Sequence, residues 1–332
     1  MPEVGTGEML VRVEACGVCP TDIKKIHKGL LPPPRIFGHE TAGVVARVGK
    51  GVSRFREGDR VALHHHIPCR DCFYCREASY AQCARYKQNG TTAGFEPAGG
   101  GFAEFVLARD WIVEQGAVPV PDGVLAEEAA FVEPVNTCLK AVQKADVRPG
   151  QTVLVVGQGP IGLILMQLAR LQGAEVVASD LLPDRLAKSR DLGAARALDA
   201  RGDVAGELRR TTQGRGADRT LLAAVGQAAF SQAVDATRPG GRIMVFAATS
   251  PGETAEVDLG TLCAAEKDIV TSYSASVDVQ GQAARLVFGR EVRVRELISH
   301  RLPLSEARHA VDLAARAEPG ILKVVLDVAQ AR

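Results

Sequence analysis

Four cysteines stand close together, Cys69, Cys72, Cys75 and Cys83, spaced C-x2-C-x2-C-x7-C. Four soft ligands so placed can surround one tetrahedral Zn²⁺ and leave no open position, so the set is expected to staple a loop and to do no chemistry itself. A redox dithiol would need only two of these thiols. A disulfide would need an oxidising compartment, and the start of the chain, Met1 to Gly7, is short and polar, unlike a secretory signal.

The second feature is Gly157-Gln158-Gly159-Pro160-Ile161-Gly162, a GxGxxG that follows the apolar run Val153–Val156 and opens a helix. In that context the first glycine allows a tight turn, the second lets backbone approach a pyrophosphate, and the third lets helix pack closely on strand. The helix N-terminus, beginning at Pro160 and Ile161, faces the anion. The next strand ends at Asp180, where a carboxylate can accept hydrogen bonds from the ribose hydroxyls of NAD and would repel the extra phosphate of NADP. Arg185 lies near the same strand end and could meet such a phosphate, although its helix is expected to turn it to solvent. A glycine turn that binds nothing is the plainer alternative.

A third set is scattered. Cys19-Pro20-Thr21-Asp22, Gly38-His39-Glu40 and Glu133-Pro134 supply Cys, His and Glu, plausible ligands for a zinc with one open position. Scattering suits a catalytic metal, which sits where several segments converge. Taken singly, a His after Gly can be structural and Glu133 a helix-end carboxylate.

These groups need elements to position them. Residues 1–125 read as β-rich, with short strands at Leu10–Ala15, Ala42–Val48 and Arg60–Leu63 and a stiff Pro32-Pro33-Pro34 loop. Helical periodicity begins near Ala126. From Gln151 strands and helices alternate: strands Val153–Val156, Glu175–Ser179, Asp218–Ala224, Arg242–Ala248 and Ile269–Ala275, with helices at Ile161–Gln172 and Pro183–Leu192. Such βα alternation implies a parallel sheet covered on both faces, an α/β fold. The chain closes with Leu297–Leu304, a helix at Ser305–Ala315 and a strand at Leu322–Val328. At 332 residues the prior is about two domains. With 46% hydrophobic and 24% charged residues and a net charge of +1, a nucleic-acid binder relying on a basic face is not expected. The longest apolar run, Ile161 to Leu171, is too short to span a membrane. A cytoplasmic compartment, where thiols stay reduced, is expected.

Together ACGVCPTD (15–22), GHETAGVV (38–45), the four-cysteine lobe, VEPVNTC (132–138), VVGQGPIG (155–162) and ISHRLPL (298–304) resemble the zinc-dependent medium-chain alcohol/polyol dehydrogenases of the sorbitol and threonine dehydrogenase type. The resemblance covers nearly the whole chain. It implies a Rossmann doubly wound sheet plus a β-rich GroES-like catalytic domain: residues 1–136 with the structural zinc lobe, 137–276 binding NAD, and 277–332 returning to the catalytic domain. It implies two zinc ions, NAD, a small alcohol or polyol substrate, and a homodimer or homotetramer. It places Cys19 and His39 on the catalytic zinc, Cys19 in preference to Cys16. Glu133 falls where relatives carry a third ligand, and Glu40 approaches the zinc in some of them. Thr21 matches a hydroxyl that bonds the substrate oxygen, Thr137 falls beside the nicotinamide, and His65 lines the substrate pocket. His64 and His66 have no match and are expected at the surface or in packing.

The chain departs from the family pattern in two ways. Where relatives carry a relay histidine, this chain has Lys24, with His27 one turn further on. It also begins about two strands later than relatives do; either the start is misassigned, or the catalytic domain lacks part of its sheet, which would expose strand edges. The activity expected is oxidation of a secondary alcohol or polyol with NAD. The alternatives are an NADPH-linked carbonyl reductase and a catalytically silent zinc-binding member of the family.

Overall fold

The computed structural model describes residues 2–29, 35–88, 90, 99–246 and 252–329. The proline run at 32–34, most of the loop at 87–101 and the end of the expected strand at 247–248 lie outside them. The chain divides into two compact units. One comprises Met1–Asn136, Ala275–Ala317 and Ile321–Arg332; the other comprises Thr137–Ser274 and Glu318–Gly320.

The first unit opens with β1 (Met9–Gly17), β2 (Glu40–Val48), β3 (Arg60–Leu63), β4 (Phe105–Ala108) and β5 (Val118–Pro119). The second holds β6 (Thr152–Val156), β7 (Glu175–Asp180), β8 (Arg196–Asp199), β9 (Ala217–Leu222), β10 (Thr237–Val245) and β11 (Asp268–Thr271). Strands β12 (Ile298–Pro303) and β13 (Lys323–Asp327) return to the first. There the sheet order is β12-β13-β1-β2-β3-β5, with β4 also paired to β1. The interior strand β1 runs antiparallel to β13, β2 and β4. Met9, Val11 and Val13 alternate along it toward a core shared with Val45, Val61, Val106 and Leu326, as the period of two requires.

In the second unit all strands are parallel, in the order β11-β10-β9-β6-β7-β8. Numbered from β6 this is 3-2-1-4-5-6, the Rossmann order, whose switch point falls between the first and fourth strands. The helix Pro160–Leu171 follows β6, with Gly159 at its N-cap and Pro160 at its first position, where a missing N–H costs nothing. Four strands were not expected as such: β4, β5, β8 and β12. Strand β10 starts earlier than its Pro239-Gly240-Gly241 suggested, and its pairing with β9 shifts register between Thr237 and Arg242. No helix among the described residues is long and apolar enough to cross a membrane.

Candidate metal centre and cofactor loop

The end of β1 runs directly into the helix Pro20–His27, with Cys19 in extended conformation at the N-cap and Pro20 first in the helix. Across the sheet, β2 begins at Glu40, and Gly38 turns the chain into it with φ +91. A Cβ at Gly38 would lie 2.5 Å from the Phe102 ring and 2.8 Å from Cys16 Sγ. Glycine is therefore required there both by conformation and by space. Cys19, His39 and Glu40 converge so that one ligand atom of each lies within 4.8 Å of the others. Behind them Asp22, fully buried, meets His39 Nδ1 at 3.2 Å and accepts from the Gly38 N–H at 3.4 Å. With Nδ1 turned to a carboxylate, Nε2 is the nitrogen left for a metal, the usual orientation of a metal-binding histidine. Burial alone would lower the His39 pKa, but Asp22 and then Cys19 raise it well above the ordinary value. A site that favours positive charge this strongly fits a cation. The reading of the sequence quoted Asp22 only as part of a motif, and its buried position in the first helical turn is what gives it this role.

The two glutamates have different neighbours. Glu40, 1% exposed, forms an ion pair with Lys323 Nζ. Glu133 enters at the start of the helix Val132–Lys144 and lies 3.4 Å from His65 Nδ1. It stands outside the Cys19–His39–Glu40 group. Burial pushes the Glu133 carboxyl up to about 7, with His39 opposing and Glu40 adding to the rise. A buried carboxylate so poorly compensated would gain from a neighbouring cation, whereas Glu40 already has one.

His65 lies 5% exposed, its ring 4.9 Å from that of His39. Burial, and then His66 and His39, hold it well below the ordinary histidine pKa, so it is neutral near pH 7. The ring series continues to His66 at 4.2 Å and from His66 to Tyr86 at 4.7 Å. His64 is fully buried, with Nδ1 3.1 Å from Gln280 Oε1. Of the two expected positions for His64 and His66, packing is the one the fold gives them. Thr21 and Lys24 are half-buried on the helix Pro20–His27. His27 is exposed and paired with Asp312 at 3.2 Å, which turns it away from the cluster.

The four cysteines gather in a small lobe around the helix Phe73–Arg76 and the turn Tyr80–Gln82. Cys69 and Cys72 sulfurs lie 3.8 and 3.5 Å from Cys75 Sγ. A tetrahedron of thiolates at the usual ~2.3 Å from zinc has edges of about 3.8 Å, and a disulfide would need about 2 Å. Backbone N–H groups of Asp71 and Cys72 draw the Cys69 thiol down to about 6, while burial and Cys72 push Cys75 up to about 12. Four cysteine sulfurs so gathered could hold a cation, and the set fits zinc.

In the second unit Gly157 holds φ +89. A Cβ on Gly162 would fall 1.8 Å from Gly157 O, so only glycine lets the helix pack on the loop. At Gly159 the single neighbour within 4 Å of such an atom is Arg185 Nη1, at 3.8 Å. The loop therefore leaves an open cradle with a guanidinium beside it, which suits a phosphate. Arg185 is half-buried and points to this loop, not to solvent as expected. Asp180 is buried, and its carboxylate accepts from the Gln158 N–H at 2.5 Å and the Leu182 N–H at 2.9 Å. It thus fixes the loop as well as standing at the strand end. Thr137, 9% exposed, lies in the helix Val132–Lys144. Gly162→Ala is expected to displace the loop by close to 1 Å and to cost about 100-fold in kcat/KM. Calorimetric titration with NADH should show the loss as weakened binding, with metal content unchanged.

A doubly wound parallel sheet with a glycine loop, in one chain with a sheet bearing two groups that could each hold a metal ion, fits a metal-dependent dinucleotide enzyme. Residues 5–122 match the alcohol dehydrogenase GroES-like domain, and residues 160–288 match the zinc-binding dehydrogenase domain. An alcohol dehydrogenase of Cupriavidus necator is 31% identical over 350 aligned residues, covering 98% of this chain and 93% of that one. A sorbitol dehydrogenase of Bacillus subtilis is 28% identical, covering 98% and 92%. A zinc-binding dehydrogenase of Sinorhizobium meliloti 1021, solved bound to NADP, superposes with a TM-score of 0.88 at 29% identity, covering 98% and 93%. The chain belongs to the zinc-type medium-chain dehydrogenase/reductase family.

Proposed function

We propose that this chain oxidises a secondary alcohol or polyol by hydride transfer to NAD, using a zinc held by Cys19, His39 and Glu133. The observation that carries the proposal is the convergence of Cys19 and His39, with Asp22 locked behind the imidazole. Zinc bound there would supply Lewis acidity toward the carbinol oxygen. Cys19 and Glu133 would offset its two charges. Asp22 would hold His39 in the tautomer that presents Nε2. Oxidation of a carbinol releases a hydride from carbon and a proton from oxygen. Thr21 would take up that proton while giving its own to the cofactor ribose hydroxyls or to water, with the Lys24 ammonium alongside. Neutral His65 would line the substrate side next to Glu133. The second zinc, held by Cys69, Cys72, Cys75 and Cys83, would be structural.

For the cofactor, Gly157, Gly159 and Gly162 would cradle the pyrophosphate at the helix N-terminus formed by Pro160 and Ile161. Asp180 would meet the ribose and Thr137 the nicotinamide. Asp180→Ser is expected to lower kcat/KM for NAD by roughly 10–100-fold relative to NADP, the worth of a charge-assisted hydrogen bond. Because Asp180 also fixes the loop, a melting curve run beside the kinetics separates lost selectivity from lost folding. The second reading, an NADPH-linked carbonyl reductase, draws its support from Arg185 beside Gly159. The test is nicotinamide absorbance with a panel of secondary alcohols and polyols at alkaline pH, NAD and NADP in parallel. Turnover only with NADPH and a ketone would replace the first reading by the second. Light scattering on the same preparation should show the dimer or tetramer that the proposal includes.

A further inference from the structure

Behind His65 runs a chain of buried hydrogen bonds, all within the first unit. Asn136, fully buried on the helix Val132–Lys144, accepts from the Ser276 N–H at 2.8 Å. Its Nδ2 donates to Ser276 O at 2.9 Å and to Gln280 Oε1 at 2.7 Å. Gln280, 2% exposed at the start of the helix Gln280–Phe288, donates through Nε2 to Gly116 O at 3.2 Å. The same carbonyl takes the His64 N–H, also at 3.2 Å. Gln280 Oε1 meets His64 Nδ1 at 3.1 Å. Backbone partners fix which way both amides face. The Ser276 N–H needs the Asn136 oxygen, and the Gly116 carbonyl needs the Gln280 nitrogen. Gln280 Oε1 can only accept, so His64 Nδ1 must carry a proton. The plane and tautomer of the His64 ring are thereby set by segments far from it in sequence.

Two ties therefore join the end of β3 to the helix Val132–Lys144. At the site, His65 Nδ1 lies 3.4 Å from Glu133 Oε1, longer than an ordinary hydrogen bond. Behind it, His64 is joined through Gln280 to Asn136, three residues after Glu133 and so on the same helix face. The bonds of this second tie have ordinary lengths and are shielded from competing water. The His64 and His65 rings stand 5.6 Å apart at 30°, so a ring displaced at 64 disturbs its neighbour. We propose that Gln280 is a positioning residue for the reaction: by fixing His64 against Asn136, it holds the His65 imidazole beside Glu133 on the substrate side. A neutral imidazole there can donate to or accept from a substrate hydroxyl, provided its plane is held. This inference rests on the reading that places His65 on that side.

The test is a double-mutant cycle on the intact, zinc-loaded chain, run with NAD and the best substrate of the alcohol and polyol panel. Gln280→Met keeps the length of the side chain and removes its donor and acceptor. It is expected to lower kcat/KM by on the order of 10-fold, chiefly through KM. His65→Ala should cost as much or more. In the His65→Ala background Gln280→Met should cost less than about 2-fold, because a residue that acts through another loses its effect once that other is gone. His64→Asn, whose amide nitrogen can take the place of Nδ1, should keep most of the activity, and His64→Leu should behave as Gln280→Met does. If Gln280→Met fails to fold, His64→Leu must show the same dependence on His65. Independently of turnover, NMR of the ¹⁵N-histidine-labelled chain should show His64 with a protonated Nδ1, its signals identified by their loss in His64→Asn. The His65 signals should move in Gln280→Met. Equal losses with and without the His65 ring, or unmoved His65 signals, overturn the proposal. If His65→Ala matches the wild type, the placing of His65 on the substrate side is wrong and the positioning role falls with it. If His65→Ala is costly and Gln280→Met is not, only the positioning role is wrong.

Discussion

Cys72→Ser is expected to empty the four-cysteine lobe, halving the zinc content from about two equivalents per chain, one for each cluster. The lobe has little else to hold it. Its apolar core is Cys75, Ala81, Cys83 and Tyr86, with Tyr80 packed against it. Its helices are a single turn or slightly more, too short to persist unaided. Structural zinc sites in isolated fingers contribute about 10–16 kcal/mol of binding free energy that is also folding free energy, so the lobe should unfold without the ion. From within this core Tyr86 meets the His66 ring in a tilted contact and donates from its hydroxyl to Ala275 O at 2.9 Å, so the loss should reach the neighbouring segment. Metal analysis, limited proteolysis within 69–88 and thermal melting read the effect. Two retained equivalents and unchanged protease resistance would mean that the four sulfurs are not a zinc site.

His39→Ala should abolish turnover, by at least ~1,000-fold, and Glu133→Ala should lose the catalytic zinc while keeping the structural one. With Glu133 as the third ligand, Glu40→Ala should keep both ions. Asp22→Asn should cost about 10–100-fold in metal affinity or activity, as loss of a group that orients a metal ligand does. One zinc determination on each variant, at matched protein concentration, separates these outcomes. If Glu40→Ala empties the site and Glu133→Ala does not, the two carboxylates exchange roles.

The parallel sheet was legible because β6 is an almost unbroken apolar run, strands and helices alternate after it, and its helices are closed by Gly173 and Gly193. Strand β8, Arg196–Asp199, was not legible. It is a half-exposed edge strand of four residues, two of them charged, without the alternation that marks a strand. Strand β5 has two residues, too few for any period. The glycine loop and the four cysteines could be read because they are contiguous and their chemistry follows from spacing. Asp22 and Lys323 could not. Asp22 shows its purpose only once Gly38 has turned His39 over it. Lys323 meets Glu40 only through the β13-β1-β2 order and the bare backbone at Gly17. Arg185 was read from helix position, which misses the bend of its side chain back to the loop.

Hydride is expected to leave a carbinol carbon for NAD beside Cys19 and His39. This transfer is tested most directly by supplying the zinc-loaded protein with NAD and polyols or secondary alcohols deuterated at the carbinol carbon, and weighing the reduced cofactor. NADH carrying the deuterium is expected, formed by the wild type and not after chelation or in His39→Ala. Unlabelled NADH, or labelled NADH formed equally well by His39→Ala, would contradict it.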